Sequence, residues 1–226
     1  MTPLVLGIDT AGPLVGVAAW DGGPAGAWSA PMGRGTERSL VPAIRDVLSG
    51  RRPGAVAVAA GPGTFTGVRV GVATALGLAR AWACPVAPLS SLAVRAALAG
   101  DEPRVLALLD ARKGRLYAGL FHTLGPVPEP LEEERDAPLE ALLGLLPAVC
   151  VGDGALLEAA RLGAAGGRIH PEAGASPALE AARLGALALA RGCTVGPSEV
   201  RIRYLRPPDA TPPRGVPGFD NPPGPS

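Results

Sequence analysis

Lysine is almost missing from this chain. Lys113 is the single lysine in 226 residues, and arginine carries nearly all the remaining positive charge. With 21 basic and 20 acidic residues the formal charge is +1, so charge alone does not argue for a nucleic-acid binder. Cysteine is sparse too. Cys84, Cys150 and Cys193 stand apart, without C-x-x-C spacing, which excludes a zinc-ribbon ligand set and a disulfide framework. They read as small buried hydrophobes in a reducing compartment. Histidine occurs twice, at His122 and His170, and never as the H-x-x-x-H pair that would hold a metal. No G-x-S-x-G is present, so serine-hydrolase chemistry has no nucleophile elbow. No uninterrupted apolar run reaches about 18 residues and no basic n-region opens the chain, so a soluble cytoplasmic protein is expected.

What is present is a core-forming α/β pattern, with 47% hydrophobic residues. Apolar stretches at 4–9, 15–20 and 25–30, parted by Thr10-Ala11-Gly12-Pro13 and Asp21-Gly22-Gly23-Pro24, read as an antiparallel meander. A helix is expected from Ser39, with Pro42 in its first turn and Leu40, Ile44, Val47 and Leu48 as its apolar stripe. A strand at 55–60, a helix from 67 to 82, a strand at 85–89 and a helix to 99 complete a β-β-β-α-β-α-β-α order with right-handed crossovers. That order is the layout of a ribonuclease-H-like lobe. Strands at 105–110 and 116–122 open a second lobe, followed by an exposed Pro/Glu-rich loop at 124–138 and a short helix at 138–146. A strand at 148–151 then turns through Gly152-Asp153-Gly154 into a helix to 162. A short strand at 168–170 and an apolar helix at 177–191 end the ordered part. The division expected is 1–101, 102–206 and a disordered tail at 207–226, where eight of twenty residues are proline.

The chain centres on AVAVAAGPGTFTGVRVGVATALGLARAW, residues 55–82. An apolar strand meets a Gly-Pro-Gly turn, Thr64 or Thr66 can cap a helix, and the helix is apolar nearly all round. Gly67, Gly71, Ala75 and Ala79 recur every four residues as a flat strip, with Val70, Thr74 and Leu78 beside it. Each helical glycine costs about 1 kcal/mol against alanine, so close packing against another helix is the expected compensation. The turn is no P-loop, because G-x-x-x-x-G-K-[ST] needs a lysine that is not there.

LGIDTAGPLVGVAAW and LALLDARKGRLYAGLF form a weak internal repeat: strand, terminal aspartate, polar turn, strand. Asp9 and Asp110 are therefore candidate ligands for Mg²⁺ or orienters of a water; the alternative is that each caps its own turn. Arg112, Lys113 and Arg115 around Gly114 make a small basic turn that could meet phosphate, or be solvated.

GPGTFTGVRVGVATALGLA closely resembles the GPGSFTGLRIG signature of the TsaB family, with Thr64 in the usual serine position. Leu6-Gly7-Ile8-Asp9-Thr10 resembles that family's AIDTS, Leu89-Ser90-Ser91-Leu92 its VSSL, and Tyr204-Leu205-Arg206 its terminal PxYLR. Asp110 to Tyr117 resembles DARxGEVY, with Arg115 replacing an acid. The resemblance implies two actin-like lobes, the second reduced. It implies a non-catalytic scaffold in tRNA threonylcarbamoyladenosine synthesis, without catalytic or metal-binding residues of its own. It would bind a catalytic TsaD-type subunit, be joined by a TsaE-type ATPase, touch tRNA only indirectly and involve no membrane. The expected interface is Gly67, Val70, Gly71, Thr74, Ala75 and Leu78 with Leu40 and Ile44, which would self-pair in a homodimer when the chain is alone. Weak ATP or ADP binding would fall to Asp9, Thr10, Asp110, Arg112 and Lys113. The competing reading is a small ATP-dependent kinase or hydrolase using Asp9 and Asp110.

Overall fold

Side chains of strand β1 (Val5–Asp9) alternate between two covered faces, which makes it the centre of a sheet. β2 (Leu14–Trp20) and β3 (Pro24–Pro31) pair antiparallel on one side of it, as the turn signals require. Helix α1 (Thr36–Leu48) leads to β4 (Ala55–Ala59), and helix α2 (Phe65–Trp82) to β5 (Val86–Leu89). β4 and β5 lie parallel on the other side of β1, giving the order β3-β2-β1-β4-β5. The computed structural model describes residues 3–33 and 35–206. The tail expected at 207–226 lies outside the described residues.

α1 and α2 cover one face of this sheet. Leu40, Ile44 and Val47 of α1 and Val68, Val72 and Ala75 of α2 join Leu6, Ile8 and Val58 in one buried cluster. α1 starts at Thr36, a turn ahead of Ser39, so Pro42 stands inside the helix and not in its first turn. Pro42 is exposed, and the carbonyl its missing N–H leaves free can be hydrated there. Thr64 is the N-cap of α2, but its side chain makes no capping hydrogen bond.

After helix α3 (Ser91–Ala96) the pattern repeats. β6 (Val105–Asp110) pairs antiparallel with β7 (Arg115–His122) and parallel with β10 (Val149–Val151), which pairs parallel with β11 (Arg168–Ile169). β6 thus stands where β1 stands, and the two hairpins that resemble each other in sequence hold equivalent places in the two sheets. Two elements were not legible. The stretch read as an exposed loop contains β8 (Glu129–Pro130) and β9 (Arg135–Pro138), both paired with β7. The helix expected at 138–146 is two 3₁₀ turns, Leu139–Ala141 and Leu143–Leu145. The helix expected to end at 162 is two pieces, α4 (Asp153–Leu157) and α5 (Ala159–Ala164).

The last helix of each half packs on the sheet of the other. Leu92 and Ala96 of α3 are buried with Val105, Leu109 and Phe121 of the second sheet. Helix α6 (Ala178–Ala190) lies across β1, β2 and β4 of the first. Its approach is close: a Cβ on Gly7 would collide with the α6 backbone at Ala178 and Ala182, and one on Gly185 with Ala57. Val94 of α3 and Ala97, just past its end, then meet Ala181 and Leu184 of α6. Residues 91–96 and 178–190 therefore belong, by packing, to the sheet opposite the one expected from a cut at 101/102. After α6, Val195 bridges to Val86, and the Arg203 N–H donates to the Ala60 carbonyl at 2.8 Å. Among the described residues no helix is long and apolar enough to cross a membrane.

Candidate functional site

The two hairpin turns line one cleft, but of their aspartates only Asp110 faces it. Asp9 ends β1 fully buried. Its two oxygens accept from both terminal nitrogens of Arg95, at 3.0 and 3.2 Å, and Oδ1 also accepts from the Ala11 N–H at 3.1 Å. Arg95 comes from α3, is itself buried, and donates further to the Ser91 carbonyl at 2.9 Å. A Cβ on Gly12 would stand 2.7 Å from the Arg95 Nη2, so the glycine turn leaves room for the guanidinium. A fork-to-carboxylate pair of this kind fixes both groups and satisfies the carboxylate. Asp9 is therefore fully engaged inside the protein.

Asp110 is only partly buried and serves its own turn. Its Oδ1 accepts from the Arg112 N–H at 2.7 Å, and Oδ2 lies 3.1 Å from the Arg112 guanidinium. Arg112 and Lys113 both have left-handed backbone and exposed side chains. The Gly152-Asp153-Gly154 turn brings a third carboxylate here: Asp153, at the start of α4, accepts from the Asp110 N–H through Oδ2 at 3.3 Å. Asp153 Oδ1 is buried without a hydrogen bond. Burial pushes the Asp153 carboxyl above its ordinary range, against the opposing pull of Arg95. The cavity between the hairpins is about 150 Å³, lined by Ala11, Gly12, Thr64, Asp110, Arg112 and Asp153. That is below the roughly 300 Å³ at which ordinary small-molecule sites begin. Among the described residues no three acidic, histidine or cysteine side chains gather as a metal site. Asp110 and Asp153 are the carboxylates that face this cavity, so they are the ones that could meet a nucleotide's metal. Thr10 does not face it as a ligand: it is buried and its hydroxyl donates to the Gly67 carbonyl at 2.7 Å.

That hydrogen bond also settles the direction of the flat strip on α2. A Cβ on Gly67 would collide with the Thr10 carbonyl, and one on Gly71 with the Thr10 hydroxyl. Gly67, Gly71, Ala75 and Ala79 are buried against the protein's own first sheet. Leu40 and Ile44 are buried in the same core, at 1% and 2% exposure. The expectation that these residues form an outward interface is corrected: the small strip lets α2 approach a strand end, not a second helix. Of the eight interface residues expected, Val70, Thr74 and Leu78 remain partly exposed.

The outer face of α2 carries Thr66, Arg69, Ala73, Gly77 and Arg80, with the small Ala73 and Gly77 between the two arginines. At its N-terminal end sits an aromatic and cationic stack that the residue pattern did not reveal. The Arg69 guanidinium lies 3.5 Å from the centroid of the Phe65 ring and its Nε donates to the Tyr204 hydroxyl at 3.0 Å. The two rings are 5.9 Å apart, and Phe65 and Tyr204 stay 41% and 45% exposed. Tyr204 is held there by the strap after α6, where Arg206 donates to the Ala111 carbonyl at 2.9 Å and so ties the second hairpin turn to the strap.

Two mixed sheets with exchanged helices and paired aspartate hairpins define the actin-like class of α/β proteins, here with the first carboxylate closed off by an arginine. A family model described as TsaD, tRNA N6-adenosine threonylcarbamoyltransferase, matches residues 40–162. The Escherichia coli tRNA threonylcarbamoyladenosine biosynthesis protein TsaB is 36% identical over 121 residues, 50% of this chain and 52% of that relative. Its Bacillus subtilis counterpart is 40% identical over 67 residues, 29% of each chain. In these alignments the chain spans about half the length, or less, of the curated relatives it matches. A Pseudomonas aeruginosa structure described as similar to the peptidase YeaZ superposes with a TM-score of 0.77 at 27% identity, covering 90% of this chain and 100% of that one. The chain belongs to the TsaB family, within the actin-like group that the TsaD model describes.

Proposed function

We propose that the chain is a partner subunit in the threonylcarbamoylation of tRNA adenosine, without turnover of its own, docked on a TsaD-type catalytic subunit. The observation that carries this reading is the Asp9–Arg95 pair. The carboxylate that a catalytic actin-like cleft would offer to metal or water is buried and doubly bonded within the chain. The names of the relatives supply the pathway. The docking face is the outer side of α2 with the Phe65, Arg69 and Tyr204 stack: arginine and tyrosine are common binding hot spots, and the small Ala73 and Gly77 allow a partner helix close approach. In the absence of its partner the same face pairs two copies of the chain. A TsaE-type ATPase joins the assembly in the cytoplasm, tRNA is reached through the catalytic subunit, and any ATP or ADP binding at Asp110 and Asp153 is weak.

The test is co-purification with a TsaD-type subunit beside an ATPase assay. At Gly77 an added Cβ would meet nothing within 4 Å, so Gly77→Arg should leave the circular dichroism unchanged and abolish co-purification. A folded Gly77→Arg chain that still binds would place the interface elsewhere. Magnesium-dependent ATP turnover by the chain alone above about 1 per second, an ordinary enzyme rate, and lost in Asp110→Ala, would overturn the non-catalytic reading in favour of a small kinase or hydrolase.

A further inference from the structure

Away from the hairpin cleft, a second cavity of about 570 Å³ opens where β7, the Pro128–Glu134 segment, the start of α3 and the C-terminal strap meet. Phe121, Pro130 and Leu131 give it an apolar wall; Glu133 and Glu134 give it negative charge. The Glu134 side chain is 4% exposed. Its Oε1 accepts from the Ser90 hydroxyl, which also caps α3. Its Oε2 is buried and accepts no hydrogen bond. Arg203 Nε stands 3.3 Å from Oε2 but without hydrogen-bond geometry, on a side chain that is half in solvent. Burial raises the Glu134 carboxyl above its ordinary range, although Ser90 and Arg203 both act to lower it. Buried polar atoms are nearly always hydrogen-bonded, so one left unbonded on a residue that lines a cavity calls for an explanation.

We infer that this cavity receives a lysine or arginine side chain from a partner protein, with Glu134 Oε2 as its acceptor. A cation offsets the desolvation of a buried carboxylate where a neutral donor offsets less. Glu133 adds a second negative charge, while Glu132 is already paired with Arg135 at 2.8 Å. The apolar wall suits the aliphatic stem that carries such a charge. One side chain fills only part of 570 Å³, so flanking residues of the same segment enter as well, and Leu131, 46% exposed at the wall, is the surface they cover. The inference does not depend on the docking face proposed on α2.

The test is a backbone NMR titration of the full chain with acetyl-Ala-Arg-Ala-amide. Shifts are expected at the Ala93, Leu131 and Glu133 amides, saturating in the millimolar range. The isosteric acetyl-Ala-citrulline-Ala-amide should bind at least tenfold more weakly, and so should the arginine peptide to Glu134→Gln, which keeps shape and the Ser90 bond. Free agmatine should bind more weakly than the peptide. No shifts, equal binding of the citrulline peptide, or undiminished binding to Glu134→Gln would overturn the inference. Agmatine binding as tightly as the peptide would overturn it in favour of a small free amine. Should Glu134→Gln fail to fold, Ala93→Phe fills the cavity from its wall, and peptide binding that survives it refutes the site.

Discussion

Gly71 and Gly77 sit on one helix and face opposite ways, so alanine at each reads the orientation of α2 directly. At Gly77 a Cβ meets nothing within 4 Å, and the substitution gains up to about 1 kcal/mol of helix propensity. At Gly71 the new methyl overlaps the Thr10 hydroxyl, which is buried and donates to the Gly67 carbonyl at 2.7 Å. Two escapes exist. Thr10 can rotate away and lose that bond, leaving a buried hydroxyl at a cost of about 1–3 kcal/mol. Alternatively α2 can shift off the strand end, an overpacking cost of about 1–3 kcal/mol. Set against the same propensity gain, Gly71→Ala comes out destabilising by up to about 2 kcal/mol. For a domain of this size each kcal/mol moves Tm by roughly 2–4 °C, so the two variants should melt several degrees apart, in opposite directions from the parent. Thr10→Ala removes the obstructing oxygen, and the double variant should recover part of the loss. Urea unfolding with a shared m-value is the assay. If Gly71→Ala is as stable as Gly77→Ala, the strip does not pack on Thr10 and the outward orientation returns.

Arg95→Met strands a fully buried carboxylate, and should cost about 3–5 kcal/mol; adding Asp9→Asn should restore much of it, and a chemical-denaturation cycle that shows no coupling would refute the pairing. The three thiols should separate under a disulfide reagent at pH 8. Exposed Cys193 reacts at once, while buried Cys84 and Cys150, both with thiols raised by burial and Cys150 to about 11, wait for unfolding. Three equally fast thiols would contradict the burial of both lobes' cores.

The hairpin repeat was the most legible long-range feature. Strand, aspartate, turn and strand recur at β1–β2 and β6–β7 because the same local chemistry serves both sheets, and each is read from its own residues. The exchange of α3 and α6 was not legible, since both are apolar helices whose composition suits either sheet. β8 and β9 were hidden by composition. Pro130 and Pro138 belong to edge strands that pair with β7, a use of proline that local reading assigns to a loop.

The site shows the same limit more sharply. A helix apolar on every side has no sequence mark that separates core from surface, and α2 is small-faced twice, at Gly67-Gly71-Ala75 and at Ala73-Gly77. What chooses between them is Thr10, 57 residues upstream of the carbonyl it bonds. Arg95 did leave a mark, as a single charge inside the run SLAVRAALA. A lone arginine among small apolar residues must find an anion or reach water. Here it finds Asp9, 86 residues away, and in doing so it takes the carboxylate that sequence pattern offered to a metal. The two hairpin turns thus meet at one cavity, through Ala11, Gly12 and Asp110, while Arg95 holds Asp9 out of it.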